Sequence, residues 1–570
     1  MAVKNRSIEI YDTTLRDGCQ GEGVSFSVED KLRIAHRLDQ LGVAYIEGGW
    51  PGSNPRDVEF FARSRGERWE RARLAAFGST RRPRVSAAAD TNLRALIDAG
   101  TPVVTLFGKS WDLHARRALE VSLLENLAMI GESVAWLKSQ GVEVVYDAEH
   151  FFDGFLANPE YALASVRAAE RAGADRIVLC DTNGGTLTRP LVESIRAVRA
   201  AVRTPLGIHT HDDSGLGVAN ALAAVEEGCV HVQGTINGYG ERCGNANLCT
   251  IIADLELKMG TRALPRGRVA ELTEVSRYVS EMANLHHPDR APFVGRSAFA
   301  HKGGIHVSAV LKHPRTYEHV EPETVGNERR VLVSDLSGQS NVIAKARRWG
   351  LPLDKNRPET RAILERVKEL EHDGYQFEGA EASFEILVKD TLHQLEPFFK
   401  LEGFRVIVEK TGADEATRAE ATIKVSVAGA FEHTAAEGHG PVNALDNALR
   451  KALEKFYPGV GDVRLTDYKV RVLNEKQATA ARVRVLVESS DGRRTWGTVG
   501  VSDNIIEASW EALVDSLTYK LLKDGVQVQK LLRPAVLKHP AASNEVAPPK
   551  RRPARNRRAR PSLRATRRTD

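Results

Sequence analysis

The chain of 570 residues is long enough for three or four domains, because single cores stop growing at about 250 to 300 residues. Its 42% hydrophobic and 27% charged residues are typical of a soluble globular protein, and the absence of any run of about 18 apolar residues or of a signal-peptide core leads us to expect a cytoplasmic protein. Five cysteines without CxxC spacing argue against a disulfide framework or a zinc ribbon.

The formal net charge of +5 is concentrated in a C-terminal tail. Residues 550–570 contain ten Lys or Arg and one Asp, a net charge of +9, which leaves −4 for residues 1–549. The tail combines Pro with charge and lacks apolar periodicity. We therefore predict a disordered basic tail over residues 531–570. Non-specific phosphate binding by this tail stays open, but we expect neither a membrane partner nor a dedicated nucleic-acid partner.

Eight short β-type runs, each followed by an amphipathic helical stretch, occupy the first half of the chain. They are Ile8–Asp12, Tyr45–Gly48, Leu74–Gly78, Val103–Gly108, Val142–Asp147, Arg176–Asp181, Pro205–His209 and His231–Thr235. This number and spacing predict an α/β fold, a (β/α)8 TIM barrel. Polar residues gather at the C-terminal ends of the strands, where barrel active sites lie: Asp12, Glu47, Lys109, Asp147, Glu149, Asp181, His209, His211 and Asn237.

Two histidines, His209 and His211, follow the apolar run Pro205–Ile208 of the seventh predicted strand. Residues two apart on an extended chain point to the same side, so both imidazoles can face one metal ion, and imidazole suits Zn, Mn, Co or Fe. Asp212 and Asp213 could add ligands or accept from the imidazoles. Taken alone, a His-x-His pair is more often two ordinary histidines, so the metal interpretation depends on further ligands.

The loops after the first and eighth strands offer such ligands. Asp17 would lie across the barrel mouth from the two histidines, although Arg16 beside it is also consistent with a plain salt bridge. Asn245 follows a glycine turn after the eighth strand and could equally cap a helix.

The segments Leu15–Gln20 and Leu206–Ala219, with Lys31 at the matching distance, resemble the two signatures of the 2-isopropylmalate, homocitrate and citramalate synthase family. The resemblance covers residues 5 to about 525. It implies an enzyme that condenses acetyl-CoA, its co-substrate, with a 2-oxo acid and then hydrolyses the thioester, an acyltransferase that converts acyl groups to alkyl on transfer. It also implies a catalytic barrel over residues 1–270, linker subdomains over 271–399 and a regulatory dimerisation domain over 400–530.

The same resemblance implies the site, residue by residue. A divalent metal (Mn, Zn, Mg or Co) would be held by Asp17, His209, His211 and Asn245. Arg16 would face the keto oxygen and stabilise the developing alkoxide, and Glu149 would lie near the substrate. Thr182 would receive the 2-oxo acid carboxylate, although the pair Asp181 and Thr182 is also consistent with a helix cap.

Residues 298–330 leave the barrel pattern and resemble the family's linker subdomain, which reaches over the active site of the partner subunit in a homodimer. His306 matches the family's acid/base histidine, and Tyr317 matches a tyrosine that assists the later steps. The family more often has Asp two residues after that histidine, where this chain has Ser308. Without the resemblance, His306 would be assigned to the surface.

Two β-then-α stretches near the C-terminus indicate an internal duplication. Alternating strands over Ala421–Val427 and Ala481–Val487 precede helices that begin near Pro441 and Asn504. The pattern is similar to the family's regulatory domain, which binds the pathway's end-product amino acid. Because helix N-termini attract carboxylates, we expect isoleucine or leucine as an effector.

Tyr146 on the fifth strand and Phe107 on the fourth are expected to restrict the substrate pocket to a methyl group, which favours pyruvate over 2-oxoisovalerate. The stretch around Tyr146 also resembles the citramalate branch, whose product leads toward isoleucine; both side chains could instead be plain wall packing. A 2-isopropylmalate synthase and a non-catalytic amino-acid sensor remain alternatives. A GGCP-type lyase loop and a Met-Lys-Met biotinyl site are both absent from the sequence.

Overall fold

The computed structural model describes residues 6–412, 416–473 and 481–527. The predicted tail over residues 531–570 lies outside the described residues. The chain divides into two compact units, Met1–Leu392 and His393–Asp570. In the part of the chain that is described, no helix combines the length and the apolar character needed to cross a membrane.

The first unit contains the predicted barrel, closed by eight parallel strands in sequential order. Strand β1 pairs with both β2 and β8, which closes the ring. The expectation of a TIM barrel is thereby confirmed, and the predicted strand over residues 176–181 has the observed limits. The strands β1 to β8 are Glu9–Asp12, Tyr45–Gly49, Arg73–Ser79, Val103–Lys109, Glu143–Glu149, Arg176–Asp181, Leu206–Thr210 and His231–Gly234.

Helices on the outside of the barrel cover the strands. They begin at local capping signals: Ser27 and Asp30 form a reciprocal capping box at the start of α1, and Asn54 caps α2 ahead of Pro55. The last helix, α11, packs against α1, and an ion pair joins Arg37 to Glu274 at 2.7 Å. The helices α1 to α11 are Val28–Leu41, Pro55–Ser64, Thr91–Asp98, Asp112–Arg117, Leu123–Ser139, Phe151–Ala157, Pro159–Arg171, Thr188–Ala201, Gly217–Glu226, Leu248–Asp254 and Leu272–Met282.

Alternation along the strands decides which side chains reach the barrel interior. Tyr11, Val103, Val145 and Val178 belong to the interior layer, whereas their strand neighbours pack outward against the helices. On β5 the residues at 145, 147 and 149 therefore face inward, and those at 144, 146 and 148 face outward. This parity determines which predicted residues can reach the mouth.

The segment after the barrel is built from short elements within the first unit. A two-stranded parallel sheet pairs β9 with β10, and the same segment contains four helices, of which α13 packs against β10. The strands β9 and β10 are Ala300–His301 and Arg330–Val331, and the helices α12 to α15 are Gly304–Lys312, Gln339–Arg348, Pro358–His372 and Glu381–Thr391.

The second unit repeats one arrangement twice, three antiparallel strands followed by a helix, which confirms the predicted β-then-α halves. Leu445, Leu449 and Leu453 are buried on one face of the first helix, as are Leu513 and Leu517 on the second. In order, the elements are β11 Lys400–Glu409, β12 Arg418–Val427, β13 Ala430–Gly438, α16 Pro441–Leu453, β14 Arg464–Val472, β15 Val483–Ser490, β16 Thr495–Ser502 and α17 Ile505–Lys523.

Candidate metal centre at the barrel mouth

A cavity of about 210 Å³ lies at the C-terminal ends of the barrel strands. An aromatic wall lines part of the cavity. Six of the predicted site residues also line it, namely Arg16, Asp17, Glu149, Thr182, His209 and His211. Because these residues come from the ends of four different strands, β1, β5, β6 and β7, or from the loops that follow them, only the closed barrel brings them together.

Asp17, His209 and His211 meet at one point, and all three are buried. The two Nε2 atoms of His209 and His211 are 3.3 Å apart. Oδ2 of Asp17 lies 3.4 Å from the His209 nitrogen and 4.0 Å from the His211 nitrogen. Ligand atoms bound tetrahedrally to a zinc-sized ion are themselves about 3.3 to 3.5 Å apart, so the spacing fits a shared divalent ion.

Asn245 supplies a buried oxygen beside this trio. Its Oδ1 accepts no hydrogen bond from the described residues, while its Nδ2 donates to the Tyr239 carbonyl at 3.1 Å. The preceding Gly244 has φ 92°, and a Cβ there would come within 2.0 Å of the Gly238 carbonyl oxygen. The glycine turn thus presents Asn245 next to His211, to which it is bridged. An orphaned buried acceptor at this place fits a fourth, oxygen ligand.

Electrostatics prepare the trio for a cation. Burial alone would raise the pKa of Asp17, but the charge of Arg16 and the hydrogen bond from His209 hold this pKa well below its ordinary value. Burial and the neighbouring His209 lower the pKa of His211 to about 4, which leaves its nitrogen lone pair available near neutral pH. Burial would also lower the pKa of His209, yet the hydrogen bond and charge of Asp17 outweigh it and raise this pKa.

Arg16 is fixed by Glu47, the fully buried carboxylate of β2. Nε of Arg16 donates to Glu47 at 2.5 Å, and a terminal nitrogen lies 3.2 Å from Asp17. The guanidinium also lies over the Phe77 ring, 3.7 Å from its centroid. The negative charges of Asp17 and Glu47 outweigh burial and raise the pKa of Arg16. A rigid cation therefore lines the cavity beside the trio.

Three aromatic rings form one wall of the cavity. Phe77 and Phe107 stack with centroids 5.2 Å apart, and Trp50 meets both rings edge-on. Phe107 thus lies where the sequence predicts. Tyr146, which the sequence analysis places in the substrate pocket, does not line this cavity: it is fully buried behind the barrel wall, among residues that pack against the helices. The inward neighbour on its strand is Asp147, which does line the cavity, because strand parity puts even-numbered residues of β5 outside.

Glu149 and Thr182 line the same cavity at the ends of β5 and β6. Glu149 pairs with Lys109 of β4, another of the polar strand-end residues. The Thr182 hydroxyl accepts from the backbone N–H of His150 at 2.9 Å. Arg242 donates to the carbonyl of Thr182 and pairs with Asp213, so it ties together three loops of the mouth. Other predicted strand-end residues hold loops instead; Asn237, for example, donates to Ser276 and Ser280 of α11.

His306 lies against Tyr317, and neither residue lines the cavity at the barrel mouth. Their rings stack with centroids 4.1 Å apart, and both side chains are exposed. Ile305 is 80% exposed and Leu311 51% exposed beside them. An exposed apolar patch of this kind is typical of a protein contact surface.

Sequence reasoning left Gln233, Trp50 and Phe77 unassigned. Gln233 accepts from Nδ1 of His209 at 2.8 Å. Phe77 has inward parity on β3, so strand parity would have identified it. Trp50 lies directly after β2, where alternation along the strand does not apply.

Comparisons with known proteins identify the family of each part of the chain. The HMGL-like family description matches residues 7–279, the homocitrate synthase post-HMGL domain-like description matches 293–374, and the LeuA allosteric (dimerisation) domain matches 378–521. The fold and mouth therefore define an HMGL-like barrel enzyme with a C-terminal LeuA-type domain.

Named relatives resolve the family further. The chain is 59% identical to an (R)-citramalate synthase of Geobacter sulfurreducens, covering 90% of this chain and 98% of that one. It is 54% identical to the (R)-citramalate synthase of Aquifex aeolicus, covering 91% and 98%. A probable 2-isopropylmalate synthase of Methanopyrus kandleri is 34% identical, covering 89% and 97%. The chain belongs to the (R)-citramalate synthase family, and the greater similarity to these synthases favours that assignment over 2-isopropylmalate synthase.

The trio generates a first prediction. Replacing His209 or His211 by Ala should abolish stoichiometric Co²⁺ binding, measured by the visible absorption of the metal-treated protein, because each variant loses one ligand of a small donor set. His36→Ala, a surface histidine stacked on Trp69, is the control and should bind as the unaltered protein does. Undiminished Co²⁺ absorption in both His209→Ala and His211→Ala would place the metal elsewhere.

A second prediction concerns Glu47. Glu47→Gln removes the charge that compensates Arg16, so we expect a loss of about 3 to 5 kcal/mol in the free energy of unfolding, together with a fall in kcat. Glu143→Gln is the matched control, because Glu143 also accepts from an inward tyrosine, Tyr45 at 2.8 Å, but at the opposite end of the barrel. It should lower stability and leave kcat unchanged. Equal kcat in both variants would contradict the positioning role of Glu47.

Proposed function

We propose that the protein condenses acetyl-CoA with pyruvate and hydrolyses the thioester, releasing (R)-citramalate and CoA on the route toward isoleucine. The observation that carries the proposal is the meeting of a metal-ready trio, a fixed guanidinium and an aromatic wall in one cavity of a chain with these relatives. In reaction class it is an acyltransferase that converts the acetyl group to an alkyl group on transfer.

Each part of the cavity has a task in that reaction. A divalent ion bound by Asp17, His209, His211 and Asn245 would polarise the keto group and orient the 2-oxo acid. Arg16 stabilises the alkoxide that forms as the new carbon–carbon bond is made, because its guanidinium is held in place before the charge develops. The Thr182 hydroxyl receives the substrate carboxylate, and Glu149 lies beside the substrate at the rim.

The aromatic wall supports pyruvate as the 2-oxo acid. Trp50, Phe77 and Phe107 close one side of a cavity of only about 210 Å³, which suits a methyl group better than an isopropyl group. The carboxyl of Asp147 lines the same cavity and makes the burial of a branched apolar chain less favourable.

Acid/base work on the acetyl group requires a proton acceptor beside its methyl group. A base must remove a methyl proton from acetyl-CoA, and the resulting enolate attacks the keto carbon. We assign this task to His306 with Tyr317, delivered from the partner chain of a homodimer. The exposed stacked pair and its apolar neighbours support a surface that docks on another subunit.

The function is tested by CoA release from acetyl-CoA with a panel of 2-oxo acids, using metal-loaded and chelator-stripped protein. We expect metal-dependent release that is fastest, by kcat/KM, with pyruvate, and an (R)-citramalate product. Faster turnover of 2-oxoisovalerate would replace the proposal by the 2-isopropylmalate alternative. No CoA release with any 2-oxo acid would favour a non-catalytic sensor.

A third prediction tests the shared active site. His306→Ala and Arg16→Ala should each be inactive as homodimers. Mixed under conditions that allow subunit exchange, they should regain part of the activity, because one of the two sites in a hybrid dimer keeps both residues. His306→Ala mixed with His209→Ala provides a second complementing pair. The Arg16→Ala protein treated in the same way without a second variant is the negative control and should stay inactive. No recovery despite demonstrated exchange would mean that each chain completes its own site.

We further propose that residues 400–530 dimerise the protein and bind a branched-chain amino acid, isoleucine before leucine. A cavity of about 230 Å³ lies at the first turn of α16, lined by Val442, Leu465, Leu513, Tyr468, Asn443 and Asp446. The free N–H groups of the helix start attract a carboxylate, and the apolar side chains can enclose a branched side chain. Exposed Val408, Phe431 and Val472 on the sheets support a dimer contact.

A fourth prediction follows from that cavity. Millimolar isoleucine should lower pyruvate turnover of the unaltered protein, through a coupling between two distant sites. Val442→Asp places a second carboxylate where the ligand would lie and should abolish the response while leaving basal turnover intact. Val58→Asp, on an exposed position of α2, is the control. If isoleucine and leucine change neither turnover nor thermal melting of the unaltered protein, the domain is structural.

A further inference from the structure

Behind the metal-ready trio lies a buried chain of two polar side chains, Gln233 of β8 and Asp147 of β5. Nδ1 of His209 is 2.8 Å from Oε1 of Gln233, and Nε2 of Gln233 donates to Oδ1 of Asp147 at 2.9 Å. Gln233 is fully buried and Asp147 is 3% exposed. The contacts cross the barrel interior, so they exist only when the barrel is closed.

We propose that Gln233 and Asp147 act as a positioning relay that sets the tautomer of His209 and thereby the affinity of the site for a divalent ion. This inference rests on the proposed metal centre. A neutral imidazole carries one proton, and only the bare nitrogen can bind a metal. His209 therefore needs its proton on Nδ1 if Nε2 is to join Asp17 and His211.

Asp17 acts against that arrangement. Its carboxylate lies 3.4 Å from Nε2 of His209 and can only accept, so by itself it would draw the proton onto the nitrogen that the metal needs. The amide of Gln233 opposes this effect of Asp17 by favouring the proton on Nδ1 of His209. When its oxygen faces Nδ1, that nitrogen must carry the proton; if the amide turned over, its NH2 group would face Nδ1 and the proton would belong on Nε2.

Asp147 decides which way the amide lies. Oδ1 of Asp147 accepts from the NH2 group of Gln233, which leaves the amide oxygen for His209. A turned amide would set the amide oxygen against the carboxylate in a buried site, which is strongly unfavourable. His211 has no such support: its Nδ1 is buried without a hydrogen-bond partner among the described residues. The relay therefore acts on one of the two histidines.

The test measures Co²⁺ affinity of the full-length, chelator-stripped protein by competition with a chromophoric chelator. Gln233→Met keeps the length of the side chain but removes the acceptor, and Asp147→Leu removes the group that orients it. Both should bind Co²⁺ about 10 to 100-fold more weakly, the range for loss of a group that orients a metal ligand. Asp147→Asn keeps an oxygen for the Gln233 amide and should stay within about threefold of the unaltered protein.

The matched control is His231→Leu. His231 lies two residues before Gln233 on the same inward face of β8, and it packs against Tyr11 and Tyr45 away from the trio. This variant should perturb the barrel interior, lower the melting temperature and keep Co²⁺ affinity. Unchanged affinity in Gln233→Met would overturn the relay. An equal loss in Asp147→Asn and Asp147→Leu would overturn it in favour of a simple charge effect.

An independent readout needs no substitution in the relay. Nitrogen-15 NMR of the metal-free protein in alkaline buffer, with the His209 signals assigned by their loss in His209→Gln, should show Nδ1 protonated and Nε2 bare. A proton on Nε2 of His209 would contradict the proposal even if every variant failed to fold. Because this measurement uses no substrate, its failure is distinguishable from failure of the proposed reaction.

Discussion

The carboxylate of Glu47 is the interaction on which the mouth of the barrel depends. It is fully buried and accepts from three donors, the Tyr11 hydroxyl at 2.6 Å, the Thr13 hydroxyl at 2.5 Å and the Arg16 guanidinium at 2.5 Å. A buried charge is costly unless it is paired and hydrogen-bonded, so these partners are held firmly in place. The first loop thereby acquires one conformation, and Arg16 and Asp17 reach the cavity as a fixed pair of opposite charges.

The alternation of inward and outward residues along the strands positions most of the remaining side chains of the site. Each barrel strand sends alternate residues inward, and the last inward residues of β4, β5 and β7 are Lys109, Glu149 and His209. His211 and Asn245 then enter from loops whose backbones are bridged to each other. The candidate site is therefore built from loop and strand-end residues, while helices and outward-facing residues supply the rigid support.

Much of this architecture could be predicted from the sequence, because eight apolar runs at regular spacing leave few alternatives to a closed barrel. The two histidines of the trio could also be predicted to lie together, since residues two apart on a strand share a face. Tyr146 shows the limit of prediction from the sequence. In a strand predicted to begin at Val142, alternation gives two faces but does not say which one turns inward. Only the pairing of β5 in the sheet shows that Asp147 faces the barrel interior. Gln233 was out of reach for another reason, since its partners lie 24 and 86 residues away along the chain.

We propose that Asp17, His209 and His211 hold one divalent ion against which the 2-oxo acid is bound beside Arg16. Anomalous X-ray diffraction at the zinc or cobalt absorption edge, on crystals grown with that metal and pyruvate, tests it most directly. We expect one strong anomalous peak within bonding distance of the two Nε2 atoms and the Asp17 carboxylate, with the pyruvate oxygens completing its coordination. An anomalous peak elsewhere, or pyruvate bound away from the ion, would contradict it.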